Sequence, residues 1–222
     1  MKFSHIFLGQ GIIRLQVPLE VFTNLNEIYE SKKKELPDAT KALAGKISDE
    51  KSLLYNGADT SKMMPHTFLS QDIVQWFEQA FREYLKFARI EKYGMRINSI
   101  WVNEMKAGEF NPVHIHRGTI YTGLSSVMIL KLPKDMGPEI ARPDQPMNGR
   151  LQFYGSGAGQ FSRTEYSPDL RIGDFFIFPY DMRHGVNPFF NKKEKRRTLV
   201  CNMDVDYDSV LTGDAAQWER NE

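Results

Sequence analysis

The spacing of apolar residues along the chain changes near residue 94. Upstream it follows a helix. In "VPLEVFTNLNEIYESKKKE", Val21, Phe22, Leu25, Ile28 and Tyr29 recur at three- and four-residue steps, and Pro18 suits a first helical turn. "SQDIVQWFEQAFREYLKFARIEKYG" carries the stronger pattern. Ser70 is a capping residue type, Asp72 suits the positive end of a helix, and Gly94 follows it. Ile73, Phe77, Phe81, Tyr84, Leu85 and Ala88 fall on one face, which needs a sheet to cover it. Between the two, "DATKALAGKISDEKSLLYNGADTSKMMPHTF" is polar with short apolar patches. It reads as irregular, with room for one short helix.

Beyond Gly94 the period becomes two. "RINSIWVNEM", "TIYTGLSSVMILKL", "GRLQFYG", part of "EYSPDLRIG", "GDFFIFP" and "RRTLVCNMDV" are the predicted strands. Turn-forming stretches separate them: "KAGEFNP", "PKDMGPEIARPDQPMNG", "SGAGQ" and "FFNKKEK". Short strands at close spacing, with helices ahead of them, predict a mainly β fold: an antiparallel jelly roll with N-terminal helices packed outside. The expected division is one domain over 1–222: a mostly helical part (1–93), a jelly-roll core (94–206) and a C-terminal tail (207–222).

Composition narrows the function. At 222 residues and 41% hydrophobic, with 15 Phe, the chain can fill a sizeable core. A net charge of +1 gives no field that would draw nucleic acid or an acidic membrane, and "KKEKRR" reads as a solvated turn. The single cysteine, Cys201, allows no intrachain disulfide and sits in the apolar run "TLVCNM", where it reads as a small buried hydrophobe. No stretch approaches the roughly 20 apolar residues of a membrane span, and no secretory leader is apparent. The expectation is a cytosolic protein with no nucleic-acid or membrane partner. A homodimer stays open.

Candidate chemistry centres on "NPVHIHRGTIY". His114 and His116 are one residue apart, and i and i+2 share a face in a strand. Alone, the pair is bland. A third of the five histidines, His184, follows the apolar strand that Pro179 ends. Twelve residues on, "RRTLVCN" places Arg196, Thr198, Val200 and Asn202 on one strand face and Arg197, Leu199, Cys201 and Met203 on the other. Histidines with a guanidinium fit a site that binds a metal and a carboxylate, because a guanidinium forks onto a carboxylate with two parallel hydrogen bonds.

These pieces resemble a known family. "SIWVNEMKAGEFNPVHIH", "TGLSSVMIL", "GRLQFYG", "RIGDFFIFPYDMRHGVNPF" and "RRTLVCN" are similar, in order, to the motifs of the 2-oxoglutarate- and iron(II)-dependent oxygenases. The similarity runs over about 99–204. It is to the prolyl 4-hydroxylase-like branch, and within it to oxygenases of marine bacteria and their phages, which implies the cytosol of a bacterium or an infected host. The Gly-Asp through His-Gly-Val block is its most specific part. The resemblance implies a double-stranded β-helix, with iron(II) as metal and 2-oxoglutarate as cosubstrate. It implies hydroxylation of an unactivated C–H of a peptide or small molecule, with release of succinate and carbon dioxide. It implies His114 and His184 as metal ligands, and Arg196 and Thr198 as the grip on the far carboxylate of 2-oxoglutarate. Asn103, Tyr121 and Tyr154 are further hydrogen-bonding candidates there.

Position 116 departs from the wider pattern, which has Asp or Glu. His116 is the expected third ligand, giving three histidines, but an acid from elsewhere remains an alternative. Asp174 and Asp181 are near His184 in sequence without a ligand-like spacing. Arg196 is preferred over Arg197 because Asn202 then falls in the family's register. The Pro- and Gly-rich segment 133–148 is a candidate lid. Two other readings stay open: a cupin-like metal enzyme that does not use 2-oxoglutarate, and a non-catalytic jelly-roll binding or structural module.

Overall fold

The computed structural model describes residues 9–40, 44–55, 66–139, 141–157, 160 and 164–207. In chain order the elements are β1 (Ile13–Gln16), α1 (Leu19–Lys32), β2 (Glu50–Tyr55), β3 (His66–Thr67), α2 (Gln71–Phe87), β4 (Tyr93–Met105), β5 (Asn111–His114), β6 (Gly123–Lys131), β7 (Leu151–Tyr154), β8 (Glu165–Tyr166), β9 (Asp174–Pro179), β10 (Arg183–Val186) and β11 (Arg196–Tyr207). They form two antiparallel sheets. The larger has the order β1-β9-β6-β11-β4-β2-β3, and the smaller β5-β10-β7-β8. The predicted mainly β architecture, with helices outside it, is what forms.

The large sheet is covered on both faces, which explains why its central strands read as continuous apolar runs. In β9 the alternation is hidden because every residue from Asp174 to Phe178 is buried. Phe175 and Ile177 join the core beneath the helices, while Phe176 and Phe178 join the core between the sheets. α2 lays Ile73, Phe77, Phe81, Tyr84 and Leu85 on the helix-side core. Phe175 is the centre of that contact, with ring centroids 5.4 Å from Trp76, 5.7 Å from Phe77 and 6.3 Å from Phe81. Cys201 lies in the same core, and burial pushes its thiol well up, so it is no nucleophile.

Three local readings needed correction. The segment read as irregular contributes β2 to the large sheet, paired with β4. α2 stops at Phe87, seven residues before Gly94, because Arg89 takes the left-handed conformation (φ 57°) that a glycine usually supplies. Gly94 instead lies in β4. The strand predicted from Thr119 begins at Gly123, and residues 119–122 form a turn. The predicted tail from 208 onward lies outside the described residues.

Phe175→Ala should remove the centre of the helix–sheet contact and cost about 3–5 kcal/mol. Urea denaturation followed by circular dichroism would measure it.

Candidate functional site

Two short strands and one loop bring three histidines together. His114 ends β5, and His184 lies directly opposite it on β10. His116 is past the end of β5, so strand alternation does not aim it. Its backbone N–H donates to the Tyr180 carbonyl at 2.8 Å, which turns the loop back toward β10. Buried Asp204 fixes the next turn, accepting from the Thr119 N–H at 2.9 Å, the Tyr180 hydroxyl at 3.0 Å and the Asn98 amide at 3.2 Å. Gly118 runs so close to this carboxylate that a Cβ there would lie 1.5 Å from Asp204 Oδ1. Only glycine fits at 118.

The ligand nitrogens of His114, His116 and His184 all lie within 4.8 Å of one another. His114 Nδ1 donates to the Pro112 carbonyl at 2.8 Å, and His184 Nδ1 donates to the Met182 carbonyl at 2.9 Å. With Nδ1 holding the proton, both rings present an Nε2 lone pair to the centre. His116 differs. Its Nε2 is 3.0 Å from His184 Nε2, and its Nδ1 is 3.4 Å from the Asn202 amide nitrogen. A metal-free ring satisfies both contacts with its proton on Nε2. Turning the Asn202 amide would offer Oδ1, which is buried and has no partner, to Nδ1–H and free the third lone pair.

This donor set fits a divalent transition metal. Two nitrogens about 2.1 Å from one ion at right angles stand about 3.0 Å apart, which is the observed His116–His184 separation. Burial lowers the pKa of all three imidazoles, to about 3 for His184, which Phe178 abuts at 4.6 Å between ring centroids. They therefore stay neutral, as ligation requires. The acids raised as alternatives are engaged elsewhere. Asp174 is paired with Arg14 at 2.7 Å, and Asp181 accepts from Gln10 at 2.5 Å.

The histidines line a cavity of ≈ 900 Å³. Thr198 and Asn103, directly paired across β11 and β4, line it too. Arg196 lies behind Thr198 on the same strand face, 1% exposed. Its Nε and Nη2 have no partner, and its Nη1 finds only the Met105 sulfur at 3.9 Å. Burial without an anion lowers its pKa to about 10. Arg197, on the other face, is fully occupied. It bonds Glu104, Glu30 and Asn26 and stacks over Tyr29 at 4.3 Å.

Two expected residues are not brought to the site. Tyr121 is 82% exposed, because residues 119–122 turn away before β6 starts. Tyr154 faces away from the inward pair Leu151 and Phe153, and its hydroxyl meets Gln152. The described residues of segment 133–148 supply no part of the cavity wall. That wall includes Pro37, Asp38, Ala39 and Ala44, together with Glu50 and Ser52 of β2. Nothing in the sequence pattern pointed to these.

A sequence-family model described as "Putative 2OG-Fe(II) oxygenase" matches residues 99–202, the stretch that carries all three histidines and Arg196. That stretch, a little under half of the chain, is similar to the 2-oxoglutarate/iron(II) oxygenases. Solved structures agree on the fold. An oxidoreductase of the 2OG-Fe(II) oxygenase family from Burkholderia pseudomallei is 14% identical, with TM-score 0.56 over 87% of this chain and 84% of its own. A prolyl-4-hydroxylase from Pseudomonas putida is 14% identical, with TM-score 0.52 over 88% and 92%. A Trichoplax adhaerens prolyl hydroxylase, solved with a hypoxia inducible factor peptide fragment, is 11% identical, with TM-score 0.51 over 88% and 83%. No curated protein matches the chain in sequence. No helix among the described residues is long and apolar enough to cross a membrane.

The two arginines should separate in stability. Arg197→Met leaves Glu104 short of its main partner and should cost about 3 kcal/mol. Arg196→Met removes an unpaired buried charge and should leave the denaturation midpoint unchanged or raised.

Proposed function

We propose that this protein is a 2-oxoglutarate/iron(II) oxygenase that holds iron(II) on Nε2 of His114, His116 and His184, and 2-oxoglutarate on Arg196 and Thr198. It hydroxylates an unactivated C–H of a peptide or small molecule. The observation that carries this reading is the convergence of three neutral imidazoles within 4.8 Å on a cavity wall. Iron, when bound, supplies oxygen activation coupled to decarboxylation of 2-oxoglutarate: one oxygen atom enters succinate, the other the product hydroxyl, and carbon dioxide leaves.

The chain's own residues bind, orient and exclude. The Pro112 and Met182 carbonyls hold two imidazoles in the ligating tautomer. Arg196 awaits a carboxylate in an apolar surround, since its neighbour Met105 forms a buried cluster with Ile47 and Phe189. In such surroundings a charge-assisted, forked hydrogen bond is strong. Thr198 offers a hydroxyl and Asn103 an amide beside it. Val127, Leu151, Val186 and Val200 make the apolar part of the wall and limit water near the reacting atoms.

Three neutral ligands carry one negative charge fewer than two histidines and a carboxylate. The dianionic cosubstrate then balances the metal, and each should tighten the other's binding by the same factor. Anaerobic titration of chelator-stripped protein with iron(II), with and without 2-oxoglutarate, should show a visible charge-transfer band that requires both. His184→Ala and Arg196→Ala should lose it. Iron bound without a band would favour a metal enzyme that does not use 2-oxoglutarate, and no iron bound would favour a non-catalytic module.

A further inference from the structure

One end of a cavity wall is left unused by that reading. The register of the large sheet places Thr198, Asn103 and Glu50 in one row across β11, β4 and β2, and Val200, Trp101 and Ser52 in the next. All six line the cavity. With Thr198 at the cosubstrate end, Glu50 stands two strand spacings away, about 9–10 Å across the sheet. It is 3% exposed, and its Oε2 is buried with no hydrogen-bond partner. Residues 37–39 and Ala44 border the cavity on this side. Residue 50 falls outside the family-matched stretch 99–202.

A buried carboxyl without a partner is costly, and native structures keep few of them. Neighbouring unpaired atoms of the same wall are also oxygens: Asn103 Oδ1 and Asn111 Oδ1. An amide can turn and offer its nitrogen, but an ionised carboxylate can only accept. Desolvation, with the charge of Asp38 added, raises the Glu50 pKa to about 8. A cation placed against the carboxyl would favour its ionised form and offset that shift. Trp101, in the adjacent row, adds an aromatic ring to the same wall, a surface that also attracts cations.

We propose that Glu50 is the substrate-recognition carboxylate, and that the primary substrate presents an ammonium or guanidinium group to it. This inference rests on the iron and 2-oxoglutarate reading, which places the reacting carbon beside the histidines and leaves the Glu50 end of the row for the substrate's nitrogen.

The test uses the anaerobic protein loaded with iron(II) and 2-oxoglutarate, with matched probes: n-butylamine and n-butylguanidine against n-butanol and n-butylurea. Calorimetric binding and thermal shift are the readouts. The cationic members should bind and raise Tm, and the neutral ones should not. Glu50→Gln should weaken the cationic members at least tenfold. Without ligand, both Glu50→Gln and Glu50→Leu should melt at or above the wild-type temperature, since each removes a buried carboxyl whose Oε2 has no partner. Equal binding of charged and neutral probes, or no binding of any, would overturn the proposal. So would a fall in Tm in both variants. Loss of the charge-transfer band in Glu50→Gln would also overturn it, assigning the carboxyl to charge balance at the metal. The wild-type band separates the two readings: its absence defeats the cofactor assignment, whereas its presence without cation preference defeats only the role of Glu50.

Discussion

The site is registered to the pleat of β11. This strand is paired on both sides, with β4 and with β6, and is buried from Arg196 to Val205. Consecutive side chains must therefore enter different environments. Leu199, Cys201 and Met203 enter the helix-side core, and Arg197 meets Glu30 and Asn26 of α1. Thr198, Val200 and Asn202 enter the cavity, with Arg196 behind them. A one-residue slip would exchange the two sets, parting Arg197 from Glu104 and Glu30 and sending Leu199, Cys201 and Met203 from the helix-side core into the cavity. Two adjacent arginines thus differ entirely in role, because one has its counterions in the fold and the other does not.

The inward face keeps groups that stability alone would not choose. Among the described residues Arg196 has no counterion and Glu50 Oε2 no donor, and desolvation lowers the pKa of three imidazoles. Each costs folding free energy, and the cost is offset on the opposite side of the same sheet. There Phe175 meets Trp76, Phe77 and Phe81, and Arg197 closes a buried ion pair with Glu104. Such division of labour is usual where polar groups are prearranged for ligands rather than for each other. The gain is that the cavity needs little rearrangement when charged ligands arrive.

What could be read from the sequence follows the same division. α2, β9 and β11 were legible because apolar burial leaves periodic or unbroken apolar runs. The preference for Arg196 came from the register to Asn202 and agrees with the occupied state of Arg197. β2 was not legible, because its cavity-facing residues, Glu50 and Ser52, are polar and erase the alternation expected of a half-buried strand. β5 and β10 are four residues each, too short for a period to emerge. His116 was found by its spacing to His114, yet a loop bond to Tyr180 positions it, not the strand pleat. Tyr121 was misplaced because a predicted strand was extended through a turn that Asp204 organises by accepting from Thr119. A single glutamate in a polar stretch, such as Glu50, carries no signal until the sheet register is known.

The proposal on which the rest depends is that this protein binds iron(II) with three imidazoles and no protein carboxylate. A crystal structure grown anaerobically with iron(II) and 2-oxoglutarate tests it directly. The account predicts one ion bound by Nε2 of His114, His116 and His184, with the Asn202 carbonyl oxygen turned to His116 Nδ1 and Arg196 forked onto the far carboxylate of 2-oxoglutarate. An aspartate or glutamate oxygen in the coordination sphere with His116 turned away, or the cosubstrate seated away from Arg196, would contradict it.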